Sequence, residues 1–389
     1  MEQLYKKFRA LLQHVSLDFK RYLYHSIAWD NRMIGLLGAR GVGKTTLLLQ
    51  YIKENLDLRK TLYVSADDLY FTENKLVDLI DEFYKANGKF LFIDEIHKYP
   101  NWSIELKNAY DFYPTLKIVF TGSSVLDLLK GSSDLSRRAV LYTLNGLSFR
   151  EYLNIYHDQE EQPYSLVQII NNEVELNKIT HPLPLFKDYL QKGYYPFGIE
   201  SEMTIRLNQV IIQTLEVDIP QYANLTVGTS RKLKHLLAII AESVPFKPNF
   251  TKIAEILGVS RNSLDDYFYY MEKAGLILQL RNNTGGIRGL GKVEKVYLNN
   301  TNIIYNLSPN RADIGNVRET FFLNQLQVNQ EVITGKKADF KIGDFTFEIG
   351  GKGKDHAQIE KDGKSFIVKD DIEFGYQNTI PLWAFGLNY

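Results

Sequence analysis

One octapeptide constrains this chain more than any other feature in it. Gly38-Ala39-Arg40-Gly41-Val42-Gly43-Lys44-Thr45 fits G-x-x-x-x-G-K-[ST] at every position. The apolar run 33–37 precedes it, and residues 45–55 follow with helical periodicity. Strand, glycine loop and helix in that order are the parts of a parallel α/β sheet. The residue types suit one chemistry. Glycines let the backbone fold tightly, so that several N–H groups face one phosphate. The helix aims its positive end at the same point. Lys44 has the reach for β- and γ-phosphates, and the Thr45 hydroxyl is a ligand for Mg²⁺. The expected ATP-binding set is Gly38, Ala39, Arg40, Gly41, Val42, Gly43, Lys44, Thr45 and Thr46. The competing reading is a glycine-rich turn without a ligand.

Fifty residues after Lys44, the run Phe90-Leu91-Phe92-Ile93 ends in Asp94-Glu95. A buried strand ending in two carboxylates is the expected second half of such a site. Asp94 would hold Mg²⁺, and Glu95 would polarise the attacking water. Two acids that merely end a strand are the alternative. Apolar runs at 61–65, 90–93 and 117–120 alternate with helical patterns at 69–85 and 102–113. That alternation indicates a parallel sheet covered by helices. Further on, 16–24 reads as a second short lead-in segment. The stretch to about residue 225 reads as mostly helical. Short β-like runs return at 295–298, 340–342, 345–349, 365–368 and 381–385.

Composition excludes several classes. With 389 residues, at about 150 per domain, two or three domains are expected. Lys+Arg and Asp+Glu both number 46, so overall charge points to neither nucleic acid nor membrane. The absence of Cys rules out disulfides and thiolate metal sites. With only 7 His, a zinc site is not expected. No apolar run approaches the ~18 residues that span a bilayer. A cytoplasmic protein without membrane contact is the expectation.

At the motif level the chain resembles the predicted AAA-type ATPases of bacteria and archaea that end in a restriction-endonuclease-like domain of unknown function. The phosphate loop carries the resemblance, together with Asp94-Glu95-Ile96-His97-Lys98-Tyr99-Pro100-Asn101-Trp102, Thr121-Gly122-Ser123-Ser124 and Leu147-Ser148-Phe149-Arg150-Glu151-Tyr152-Leu153. The resemblance implies an α/β P-loop core, then a helical lid, a winged helix and a small α/β domain. The expected boundaries are 1–30 for a helical lead-in, 31–155 for the core, 156–228 for the lid, 229–298 for the winged helix and 299–389 for the last domain. It implies Mg-dependent ATP hydrolysis by a switch or motor, against an ATP-binding scaffold with little turnover, with a homo-oligomer as a candidate assembly. It makes Thr121 and Ser123 sensor candidates, against an ordinary strand-ending turn. Arg137 and Arg138 become arginine-finger candidates, acting in cis or in trans, against a structural ion pair. Gly193-Tyr194-Tyr195-Pro196 resembles a Gly-Gly-Phe-Pro turn of the family, with Tyr194 in place of the second Gly.

Residues 250–260 read as a helix closed by a glycine turn at Gly258, and 261–274 as a second helix. The turn at 282–286 and the run 295–298 would supply a wing. Residues 231–295 hold 11 Lys+Arg against 6 Asp+Glu, which suits phosphate contacts. The second helix carries Asp265 and Asp266 instead of a basic run. DNA and a protein partner both remain open. In the last domain, Glu319, Asp339 and Glu348 match the three acids that the resemblance assigns to a Mg²⁺ site for phosphodiester cleavage. The lysine of that pattern is replaced by Gly350, with Lys352 nearby and Gln358 further on. The alternatives are a weak metal-dependent nuclease and a docking module for a protein partner.

Overall fold

The computed structural model describes residues 1–122, 135–242, 247–282, 291–309, 312–335, 337–351 and 364–389. The chain forms two compact units, Met1–Gly146 and Leu147–Tyr389.

The first unit is built on a five-stranded sheet: β1 (Met33–Leu37), β2 (Thr61–Ser65), β3 (Phe90–Asp94), β4 (Lys117–Thr121) and β5 (Val140–Thr143). Its order is β2-β3-β4-β1-β5, and every pairing is parallel. The strands β1 to β4 are almost wholly buried apolar runs, as a sheet covered on both faces requires. Around it lie α1 (Glu2–Gln13), α2 (Lys44–Asn55), α3 (Leu76–Lys85) and α4 (Trp102–Phe112). Leu4, Phe8 and Leu12 bury one stripe of α1, and the Phe8 ring stacks on Tyr63 of β2. Chain order jumps from β1 to the far edge at β2, with β3 and β4 between them. Ligands bind at the carboxyl ends of strands beside such a reversal.

The second unit begins with α5 (Phe149–Tyr156), whose Ser148 and Glu151 form a reciprocal capping box. Further helices follow to residue 242, the last of them Val227–Glu242. Then come α6 (Phe250–Leu257), α7 (Arg261–Lys273) and an antiparallel hairpin of β6 (Ile277–Arg281) and β7 (Val293–Leu298). Gly258 makes the turn between α6 and α7 at φ +59°, and Ser260 caps α7. The last part packs α8 (Ile314–Leu326) on a mixed sheet. Its strands are β8 (Val332–Thr334), β9 (Phe340–Ile342), β10 (Phe345–Gly350), β11 (Ser365–Lys369) and β12 (Thr379–Pro381), ordered β12-β11-β10-β9-β8. Phe322 of α8 meets Phe340, Phe347 and Phe385 at its centre.

Four local expectations need correction. The helical stretch expected at 69–85 is two helices, Tyr70–Glu73 and α3. The Asn74 amide donates to the Tyr70 carbonyl and Lys75 is extended, which ends the first helix. The strand expected at 381–385 stops at Pro381, and Leu382–Leu387 forms a 3₁₀ turn. That turn is buried all round, so its apolar run lacked the alternation that separates strand from helix. Of residues 16–24, only 22–24 enter a helical turn, within Tyr22–His25. Strand β8 was not expected at all. Tyr194, in place of the family's second Gly, has φ −71° and ψ −32°, which any residue adopts. Gly193 is the residue the turn requires: a Cβ there would stand 2.4 Å from the Tyr189 ring and 2.8 Å from that of Tyr152.

Candidate nucleotide site

The phosphate loop lies between β1 and α2. Gly38, Gly41 and Gly43 have φ of +151°, +78° and +97°, all in territory that side chains disfavour. A Cβ on Gly38 would also stand 2.4 Å from the Leu144 carbonyl oxygen, so sterics fix that glycine twice. Gly43 is the N-cap of α2, and Thr45 and Thr46 are exposed on its first turn. Lys44 is 6% exposed, and its ammonium donates to the loop's own Gly38 O (2.8 Å) and Ala39 O (3.0 Å).

Asp94 ends β3 and is 3% exposed. Its Oδ2 accepts from Thr45 Oγ1 (2.5 Å) and Tyr63 OH (2.7 Å). Its Oδ1 accepts from the Glu95 N–H (3.0 Å) and from Thr121 Oγ1. Strand order explains the meeting. β3 lies between β2, which brings Tyr63, and β4, which ends at Thr121, while β1 beside β4 leads into the loop. Burial, then the charge of Asp94, pushes the Tyr63 hydroxyl far above its usual pKa, so it stays a donor. A hydroxyl and a carboxylate oxygen 2.5 Å apart are hard oxygen donors of the kind that Mg²⁺ takes.

Glu95 adopts φ +49°, unusual for a side-chain-bearing residue. Its carboxylate is partly exposed, with Oε2 3.3 Å from Nδ1 of the buried His97 ring. The two arginine candidates separate. Arg138 makes a two-pronged contact with Asp111, at 2.9 and 2.8 Å. Arg137 is exposed and has no ion pair among the described residues. Thr121 is fully buried on Asp94, while Ser123 lies outside the described residues.

In the second unit, Glu319 of α8 and Asp339 come together on a lysine that sequence reading passed over. Lys295 of β7 reaches Glu319 Oε2 at 2.9 Å and Asp339 Oδ1 at 3.1 Å. Tyr297 OH donates to the same Glu319 oxygen (2.6 Å), and the Ile349 N–H to Asp339 Oδ2 (3.0 Å). Burial first, and Asp339 second, raise the Glu319 pKa. Glu348 follows Phe347, whose ring faces Phe322 of α8, so strand alternation turns Glu348 to the other face of β10. Among the described residues no three His, Cys, Asp or Glu side chains form a group able to hold a metal. Both carboxylates of the acid pair face the Lys295 ammonium in this structure. Lys352 and Gln358 lie outside the described residues.

Two other long-range contacts were also invisible in the motifs: Tyr63 on Asp94, and buried Arg21 on the phosphate loop. The one available signal for Tyr63 was a polar tip inside an otherwise apolar strand.

Residues 30–153 match the family model described as an AAA domain, and residues 183–313 match a domain of unknown function, DUF8612. With the loop, the acidic strand end and the parallel sheet, this makes the first unit a P-loop domain of the AAA type. The chain is 28% identical over 268 residues to an uncharacterized protein of Methanocaldococcus jannaschii, covering 64% of this chain and 56% of that one. It therefore spans little over half the length of that curated relative. Among solved structures, a Walker-type ATPase of Pyrococcus abyssi is similar at 14% identity, over 79% of this chain and 95% of that one, with TM-score 0.41. The Aeropyrum pernix ORC1 protein in complex with DNA gives 11%, 78%, 92% and 0.33. At such scores these likenesses carry no argument about mechanism or arrangement. No helix among the described residues is long and apolar enough to cross a membrane.

Proposed function

We propose that this chain binds Mg·ATP at residues 38–46 and hydrolyses it, working as a nucleotide-driven switch or motor. One observation carries the reading: Lys44, Thr45, Asp94 and Thr121 converge where the parallel strands β1, β3 and β4 end. Lys44 exchanges the carbonyls of Gly38 and Ala39 for phosphate oxygens. Thr45 and Asp94 hold Mg²⁺, directly or through water. When bound, that ion neutralises charge developing on the phosphate oxygens. Glu95 orients the attacking water and accepts its proton at the carboxylate, with the His97 ring 3.3 Å away. Thr121 and Tyr63 fix the Asp94 rotamer. Arg137, exposed and without an ion pair among the described residues, is the better finger than Arg138, and a finger acting in trans would need a homo-oligomer.

For the partner, α6, the Gly258 turn, α7 and the β6–β7 hairpin form the winged-helix module of this reading. The exposed face of α7 presents Arg261, Asn262, Asp265, Asp266 and Tyr269. That mixed face favours a protein partner over the DNA backbone. The last domain is read as a contact module, because Lys295 neutralises the acids that a nuclease would use for its metal. Titration of Mg·ATP into the wild type and into Lys44→Ala tests the reading. Binding should be micromolar or tighter in the wild type and at least 100-fold weaker in the variant. Equal affinity in the two would refute the site.

A further inference from the structure

Arg21 lies outside every motif, in the lead-in before β1, and it is only 6% exposed. Its guanidinium donates to three backbone carbonyls. Nη1 bonds Val42 O within the phosphate loop, and Nη2 bonds Asn145 O (2.7 Å) and Gly146 O (2.9 Å) beyond β5. The same stretch beyond β5 also abuts the start of the loop, since the Leu144 carbonyl closes over Gly38 and the Leu144 N–H bonds Leu37 O. One buried cation thus clamps the loop's far end to the segment that already fixes its near end.

The clamp has a geometric consequence. A trans peptide is planar, so the Val42 C=O and the Gly43 N–H point in opposite directions. The Val42 carbonyl points at the buried Arg21 guanidinium. The Gly43 N–H is then turned the other way, at the N-terminus of α2. Gly43, at φ +97°, has no Cβ to lock its peptide plane, so this orientation depends on an outside partner.

We propose that Arg21 is a positioning residue for phosphate recognition, holding the Val42–Gly43 peptide so that the Gly43 N–H faces the nucleotide phosphates. The proposal rests on the ATP reading above. The test uses the full chain as wild type, Arg21→Gln and Arg21→Lys. Steady-state ATP turnover gives kcat and KM, and NMR of ¹⁵N-glycine-labelled protein follows the Gly43 amide as Mg·ADP is added. The wild type should show a large Gly43 shift on Mg·ADP. Arg21→Gln should raise KM at least tenfold and lose most of that shift, with an unfolding midpoint close to wild type. Arg21→Lys keeps the charge but reaches fewer carbonyls, so it should fall between the two. If Arg21→Gln fails to fold, the intermediate KM and Gly43 shift of Arg21→Lys carry the test alone. A wild-type KM and a wild-type Gly43 shift in either folded variant would overturn the proposal. A wild type that binds no Mg·ADP or Mg·ATP would instead refute the ATP reading, and this proposal with it.

Discussion

Replacing Lys295 with Met tests the ion cluster of the second unit. The Lys295 side chain is 12% exposed, and its partners Glu319 and Asp339 are 12% and 20% exposed. Methionine fills most of the volume, so the loss is electrostatic and not a cavity. Removing one partner of a buried pair strands the other charge, which costs roughly 3 kcal/mol or more. Here two carboxylates are stranded at once, while Tyr297 and the Ile349 N–H still hold one oxygen each. With a urea dependence of about 2 kcal/mol per M, a loss of roughly 3 kcal/mol moves the midpoint down by about 1.5 M. The penalty must depend on pH. Glu319 already has a raised pKa in the folded chain, through burial and then Asp339, and losing the ammonium raises it further. A folded carboxyl with a raised pKa contributes stability below its unfolded value of 4.5, and loses it as pH rises through the folded value. The variant's deficit should therefore be large at pH 7.5 and shrink toward pH 4.5. Adding Glu319→Gln to Lys295→Met should recover part of the loss. Urea titrations followed by tryptophan fluorescence and circular dichroism measure all three proteins. A midpoint shift under about 0.3 M at pH 7.5, or one that grows on acidification, would refute the reasoning.

Further outcomes follow from the same geometry. Arg137→Ala should lower kcat at least tenfold, whereas Arg138→Ala should leave kcat within twofold and cost under about 1 kcal/mol of stability, since its pair with Asp111 is partly exposed. Equal kinetic losses would return Arg138 to the chemistry. Gly193→Ala should destabilise the second unit by roughly 2 kcal/mol through overpacking against Tyr189 and Tyr152, read as a lower thermal midpoint. Plasmid and single-stranded DNA incubated with Mg²⁺ or Mn²⁺ should stay intact. Cleavage abolished by both Asp339→Ala and Glu348→Ala would reverse the reading of the last domain.

The nucleotide site was legible to the extent that its parts are continuous in sequence. The phosphate loop is eight consecutive residues, and Asp94-Glu95 closes an apolar run. Both owe their chemistry to local backbone shape, which short motifs encode. Tyr63, Arg21 and Lys295 act across 31, 21 and 24 residues of chain, on Asp94, Val42 and Glu319. Only strand order and burial bring those partners together, and neither is written in spacing. Sequence pattern also split the two arginines no further than adjacency allows, because the Asp111 partner of Arg138 sits on α4. Residues 381–385 misread as strand for a related reason: an apolar run buried on every side has no period to measure.

The central claim is ATP hydrolysis driven by Glu95 at a phosphate loop already shaped for it. The direct measurement is steady-state Mg·ATP turnover by wild type and Glu95→Gln, with nucleotide affinity measured on the same samples. The account predicts unchanged affinity, within about threefold, and a fall in kcat of at least 100-fold in the variant, about 2.7 kcal/mol of barrier. Equal turnover in the two proteins, or none in the wild type, would contradict it.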